Sequence, residues 1–174
     1  TLEGSRYAYL PSAGLALLFA STAWVSAAES TWSGATDTFW TTPGNWAPGV
    51  PGSGDNIIFP NVTMQTVDLA GGLYAIGMLT FNAPDAYALA NGTLTLGGNV
   101  SQNGAGTVDL NVAVDLGAAN RTFAGSGSGV VTFNNPVTDT AAAGARAVLS
   151  AGQYVIANNA NTIYRWEITG GAIA

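Results

Sequence analysis

The sequence predicts an all-β chain wound as a single-stranded right-handed parallel β-helix, a solenoid with an aromatic N-terminal cap. Three features predict it. Short segments alternate apolar with polar or small side chains, the two-residue period of a strand with one buried face. Glycine, at 23 copies in a chain with only 8% charged residues, punctuates those segments in connectors such as NG, GGN, NGAG and GSGSG, where Gly and Asn tolerate positive φ. The segments also echo one another: GMLTFNAP (Gly77–Pro84) and GVVTFNNP (Gly129–Pro136) share one pattern. Units of this kind stack because none buries its apolar face alone.

Residues 1–27 read as a signal peptide forming a lone helix. Arg6 precedes an apolar stretch centred on Ala13–Ala20, and VSA (Val25–Ala27) and SAA (Ser26–Ala28) both fit the small-x-small pattern before a cleavage site. A membrane anchor needs ~20 unbroken apolar residues, whereas Pro11, Ser12, Ser21, Thr22 and Ser26 interrupt this stretch. The expected mature protein is exported, either secreted or at the cell surface, with no stable membrane insertion after cleavage.

Residues 28–60 crowd three of the five tryptophans into TWSGATDTFWTTPGNWAPGVPGSGDNIIF (Thr31–Phe59). The first rung of a β-helix exposes an apolar cross-section and unpaired strand edges, which invite aggregation unless covered. Trp32, Phe39, Trp40, Trp46 and Phe59 are expected to fold over that end, each burying ~150–250 Å². The rival reading is a sugar-stacking platform built from Trp32, Trp40 and Trp46, with Asp37, Asn45 or Asp55 bonding hydroxyls of a cell-surface or extracellular polysaccharide. The cap is preferred because terminal repeats require one.

Residues 61–174 supply the rungs. TVDL (Thr66–Leu69), MLTF (Met78–Phe81), YALA (Tyr87–Ala90), TLTL (Thr93–Leu96), TVDLNVAVDL (Thr107–Leu116), RTF (Arg121–Phe123), VVTF (Val130–Phe133) and YVIA (Tyr154–Ala157) read as strands. Leu79, Phe81, Leu94, Leu96, Val112, Val114, Val131 and Phe133 are the predicted inward residues. At ~20 residues and ~4.8 Å per rung this makes about five or six rungs and a rod on the order of 25–30 Å long. The many asparagines at the turns are candidates for amide ladders along the axis, or simply for turn geometry. Only Ala141–Leu149 has helix-forming composition, and Gly144 interrupts it.

Composition narrows function. Four arginines, no lysine and a net charge of −6 exclude a phosphate-tracking surface, so nucleic acid is not an expected partner. With no histidine, cysteine or lysine, Ser–His, Cys–His and Lys-based catalysis have no side chains to use. A glycosidase pair needs two carboxylates ~5–10 Å apart. Asp109 and Asp115 share a strand face but lie ~20 Å apart along a continuous strand, so they read as solvent-facing strand residues. GSGDNI (Gly52–Ile57) is a single shortened copy of a calcium-binding pattern, and no metal or cofactor is expected.

TWSG…FW…GNW…P…GDNIIF resembles the start of bacterial surface proteins built from autotransporter-associated β-strand repeats, also called passenger-associated transport repeats. The matching positions are Trp32, Gly34, Asn45, Trp46, Pro51, Gly54, Asp55 and Phe59. In the tail, Thr162, Tyr164, Ile168, Gly170 and Gly171 fit the family repeat, while Arg165–Glu167 replaces its usual glycine turn. The resemblance implies an exported, non-catalytic β-helical passenger, a stalk or adhesin segment, stacked on further repeats of the same chain. A carbohydrate-binding module using the Trp cluster is the alternative from a different class. A polysaccharide-degrading β-helix enzyme is a weaker one.

Overall fold

A computed structural model describes residues 27–173; the expected signal peptide falls outside the described residues but for Ala27. The chain is nearly all β, a solenoid of about five turns with parallel sheets. The only helix among the described residues is a 3₁₀ turn at Pro43–Asn45.

Each turn contributes strands to two parallel sheets. In the first, Ile57 pairs with Leu79, Leu79 with Val100, Val100 with Phe123, Phe123 with Leu149 and Leu149 with Ile168. In the second, Val67, Leu89, Leu110, Phe133 and Ile156 form the matching column. One step along the axis therefore advances the sequence by 21 residues at Asn82–Asn103, 23 at Asn111–Asn134 and 26 at Asn120–Arg146. Parallel pairing fits this arrangement, since both faces of every strand are defined by the coil: one side packs inward and the other faces out.

Apolar positions stack on like positions, so the core is one continuous column. All eight predicted inward residues are buried, each at most 2% exposed. Phe59 and Phe81, register partners on successive turns, stack at 5.0 Å with ring planes 15° apart. At the far end the column opens: Ile168 and Ile173 are 54% and 44% exposed.

The corners are made in two ways. In the long strand Tyr87–Leu96 the ladder shifts between Ala90 and Thr93, where Asn91 adopts φ 58° and bends the strand. Asn-Gly thus bends one strand around a corner and closes no hairpin. The NGAG and GSGSG connectors work differently. A Cβ on Gly104, Gly106, Gly127 or Gly129 would lie 1.7–1.9 Å from the carbonyl oxygen of Ala83, Asp85, Gly104 or Gly106 on the preceding turn. These glycines are there because backbone meets backbone across rungs, with no room for a side chain, and none of the four is at positive φ.

The sequence reading of Asp115 needs correction: it is buried, at 6% exposure. It lies one turn below the Asp139–Ala145 corner, and its carboxylate accepts hydrogen bonds from the Thr140 N–H, the Thr140 hydroxyl and the Gly117 N–H. The alternating pattern of its strand, Val108–Asp115, breaks at this corner. Helical composition at Ala141–Leu149 also lost to context, since Arg146–Leu149 forms a strand between Arg121–Ala124 and Arg165–Ile168.

Candidate functional site

The aromatic segment 28–60 forms an extra turn on the N-terminal end. Its first strand, Glu29–Trp32, runs parallel to Asn56–Phe59 and antiparallel to Trp46–Ala47. On the second sheet, Phe39 bridges to Asp68 through Asp68 N–H to the Thr38 carbonyl (2.7 Å) and Trp40 N–H to the Asp68 carbonyl (2.9 Å). Both ladders therefore continue into this segment before it closes them.

The three indoles sit in the core, with Trp32 and Trp40 at 0% exposure and Trp46 at 5%. Trp46 stands edge-on to both neighbours, 5.0 Å and 73° from Trp32 and 4.8 Å and 64° from Trp40. Phe59 completes the cluster at 6.4 Å from Trp32 and 6.1 Å from Trp46. Edge-to-face contacts at such distances are the favoured aromatic geometry. A sugar platform needs exposed, roughly coplanar faces; these rings are buried and steeply inclined. The platform reading is corrected on that ground: the rings seal a coil whose first rung offers a large apolar cross-section.

The spacing of the motif has physical causes. The Trp32 indole N–H donates to the Met64 carbonyl at 2.8 Å. Two residues on, Gly34 has φ +53°, and a Cβ there would lie 2.8 Å from that same carbonyl oxygen. Trp-x-Gly thus lets the chain turn away tightly while the indole reaches its acceptor. Asn45 is fully buried. Its Oδ1 accepts from the N–H groups of Thr36 (2.9 Å) and Asp37 (3.1 Å), and its Nδ2 donates to Asp37 Oδ1 (2.7 Å) and the Phe39 carbonyl (2.9 Å). Two donors and two lone pairs are all in use.

Asp37 also accepts from the Phe39 N–H and the Thr42 hydroxyl. Desolvation raises its pKa, and the hydrogen bonds from Phe39, Asn45 and Thr42 outweigh that, so the carboxyl lies below its ordinary value. Asp55 ties the start of the fold to the turn before it, accepting from Ala28 N–H at 3.2 Å and Gly52 N–H at 2.8 Å. Every residue proposed as a sugar ligand is engaged within the cap. In the GSGDNI stretch the one carboxylate is spent on these two backbone donors. Among the described residues, no group of three or more His, Cys, Asp or Glu side chains is placed to hold a metal ion.

Sequence reasoning missed one feature of this end. A cleft of ≈150 Å³ lies beside the cap, lined by Trp40, Pro51, Gly52, Ser53 and the strand Leu73–Ile76. Tyr74 flanks Trp40 there, its ring 4.9 Å away and tilted by 31°. The lone aromatic of GGLYAIG, Tyr74, was the available signal, but no alternating pattern marks that strand. Compared with known proteins, the chain matches no family model, no curated protein and no solved structure.

Proposed function

We propose that the chain is a rigid, non-catalytic structural segment, exported to a bacterial cell surface as part of a stalk or adhesin, where it extends and presents other parts of the molecule. One observation carries the reading. The residues with chemistry to offer at the Trp-rich end, Asp37, Asn45 and Asp55, all serve to hold that end closed. A continuous apolar column with axial hydrogen bonds suits a load along the rod. The contrast between a sealed Trp end and exposed Ile168 and Ile173 suits stacking on further turns of the same kind.

Expression of the full sequence in a Gram-negative host tests this reading. Fractionation and intact mass should find an exported product beginning near Ala28, resistant to protease as one unit. Retention in the cytoplasm with residues 1–27 intact would overturn it.

A further inference from the structure

Two cleavage sites at the end of the leader fit the small-x-small pattern: after Ala27, following VSA, and after Ala28, following SAA. Ala27 and Ala28 are both exposed, and the first strand begins at Glu29, so either bond is within reach of a peptidase. Ala28 is nonetheless held on both sides of its backbone. Its N–H donates to Asp55 Oδ1 at 3.2 Å, and its carbonyl accepts from Asn56 N–H at 2.7 Å. The second oxygen of Asp55 accepts from Gly52 N–H at 2.8 Å, which fixes the carboxylate in front of the Ala28 nitrogen.

That carboxylate has no counter-charge. Among the described residues both ion pairs belong to Glu167. Arg121 is spent on the carbonyls of Leu116, Gly97 and Gly117. From Ala28 to Asn120 the sequence carries no lysine or arginine at all. Asp55 therefore holds a backbone nitrogen where a cation would suit it better.

Cleavage supplies that cation. Hydrolysis of the Ala27–Ala28 amide by one water leaves a carboxylate on Ala27 and, at neutral pH, an ammonium on Ala28. The nitrogen that becomes charged is the one already 3.2 Å from Asp55 Oδ1. A hydrogen bond from a neutral donor becomes a charge-assisted one, roughly twice as strong. A cut after Ala28 would instead carry this nitrogen away with the leader and leave Asp55 Oδ1 without it.

We propose that the chain is cut between Ala27 and Ala28, and that the freed α-ammonium of Ala28 pairs with Asp55 as a latch on the Trp-rich cap. The latch rests on the export reading above and adds to it the bond cut and the partner of the new terminus. It pins the start of Glu29–Trp32 against Asn56–Phe59, and so secures the strand that carries Trp32 into the aromatic cluster.

The absence of lysine makes the test selective, because the α-amine is the only primary amine of the cut product and an acetylating ester reports on it alone. The full sequence is exported from a Gram-negative host, and intact mass reads where the product starts and how fast it is acetylated. The expected start is Ala28. At pH 7 the folded product should react roughly three- to tenfold more slowly than Asp55→Asn, or than the native product unfolded in guanidinium chloride. Added salt should narrow the gap. The gap should close above about pH 10, where the amine is uncharged; simple steric cover would persist there. Glu29 also adjoins this amine in the chain, and the Asp55→Asn arm separates the two carboxylates. A start at any other residue would overturn the proposal, and an uncut cytoplasmic chain would overturn the export reading with it. A start at Ala28 with equal rates for native and Asp55→Asn chains, or a gap that persists above pH 10, would overturn the latch alone. The pH and salt arms read out on the native chain, so they stand even if the variant folds poorly.

Discussion

The Trp46 indole N–H donates to the main-chain carbonyl of Trp40 at 2.6 Å, while the two rings meet edge-on at 4.8 Å. One side chain thus satisfies the backbone and packs the core, and it also touches Trp32. Truncating Trp46 to Ala should cost ~3–5 kcal/mol, a large part of a small domain's stability. Trp32→Ala and Trp40→Ala should cost somewhat less, because each has only one of these edge-on partners. Thermal melts of the three variants beside the native chain check the order; native-like melts for all three would end the capping account.

Asn45 predicts a different signature. Asn45→Ala removes four hydrogen bonds and leaves the Thr36 and Asp37 N–H groups and the Phe39 carbonyl to find new partners. The expected loss is at least ~2–3 kcal/mol. Asn134→Ala, which breaks a single amide contact to Asn111 at 2.9 Å, should cost about 1 kcal/mol. Denaturant midpoints at equal slope separate the two.

The glycine connectors make the sharpest prediction about packing between turns. Gly127→Ala places a methyl 1.8 Å from the Gly104 carbonyl oxygen, and overpacking of this kind costs ~1–3 kcal/mol or more. Gly49→Ala, with nothing within 4 Å of the added carbon, should be neutral within ~0.5 kcal/mol. Equal melting temperatures for the two variants would contradict the close approach of turns at this corner.

Acid should loosen the fold through Asp115. Burial raises this carboxyl's pKa, but bonds from the Thr140 hydroxyl and N–H, the Gly117 N–H and the Thr95 hydroxyl outweigh it, leaving the group below its ordinary value. A folded pKa below the unfolded one means the stabilisation is complete above the usual Asp range near ~4 and is lost as pH falls through the folded value. Melting temperature should therefore drop below about pH 4. Asp115→Asn should melt lower at neutral pH and show a shallower acid slope, checked by melts from neutral pH downward.

The strands that announced themselves were those with a clean two-residue period: Val130–Phe133 and the two halves of Tyr87–Leu96 follow it, and their inward residues came out buried. Strands at corners were hidden. Val100–Gln102 is too short to show a period, and Arg146–Leu149 lies in a helix-forming run that only neighbouring turns convert to strand. Asp115 looked solvent-facing because alternation ignores the corner that buries it. Of the cap, the need for a cover was evident from the tryptophans. The roles of Asp37, Asn45 and Asp55 were not, since a side chain that binds backbone looks the same in sequence as one that binds a ligand.

Successive turns stack in parallel with one fixed register, and disulfide trapping tests this directly, because the chain contains no cysteine. Thr80 and Ser101 are register partners on adjacent turns, both half-buried on the outward side. Adjacent strands lie ~4.8 Å apart, within the ~4.4–6.8 Å span that a disulfide bridges. The doubly substituted Thr80→Cys, Ser101→Cys chain should close on mild oxidation without loss of melting temperature. The off-register pair Thr80→Cys, Asn103→Cys should stay reduced, since two residues of offset carry the Cα atoms beyond ~7 Å. Closure of the off-register pair with the register pair left open would contradict the parallel coil.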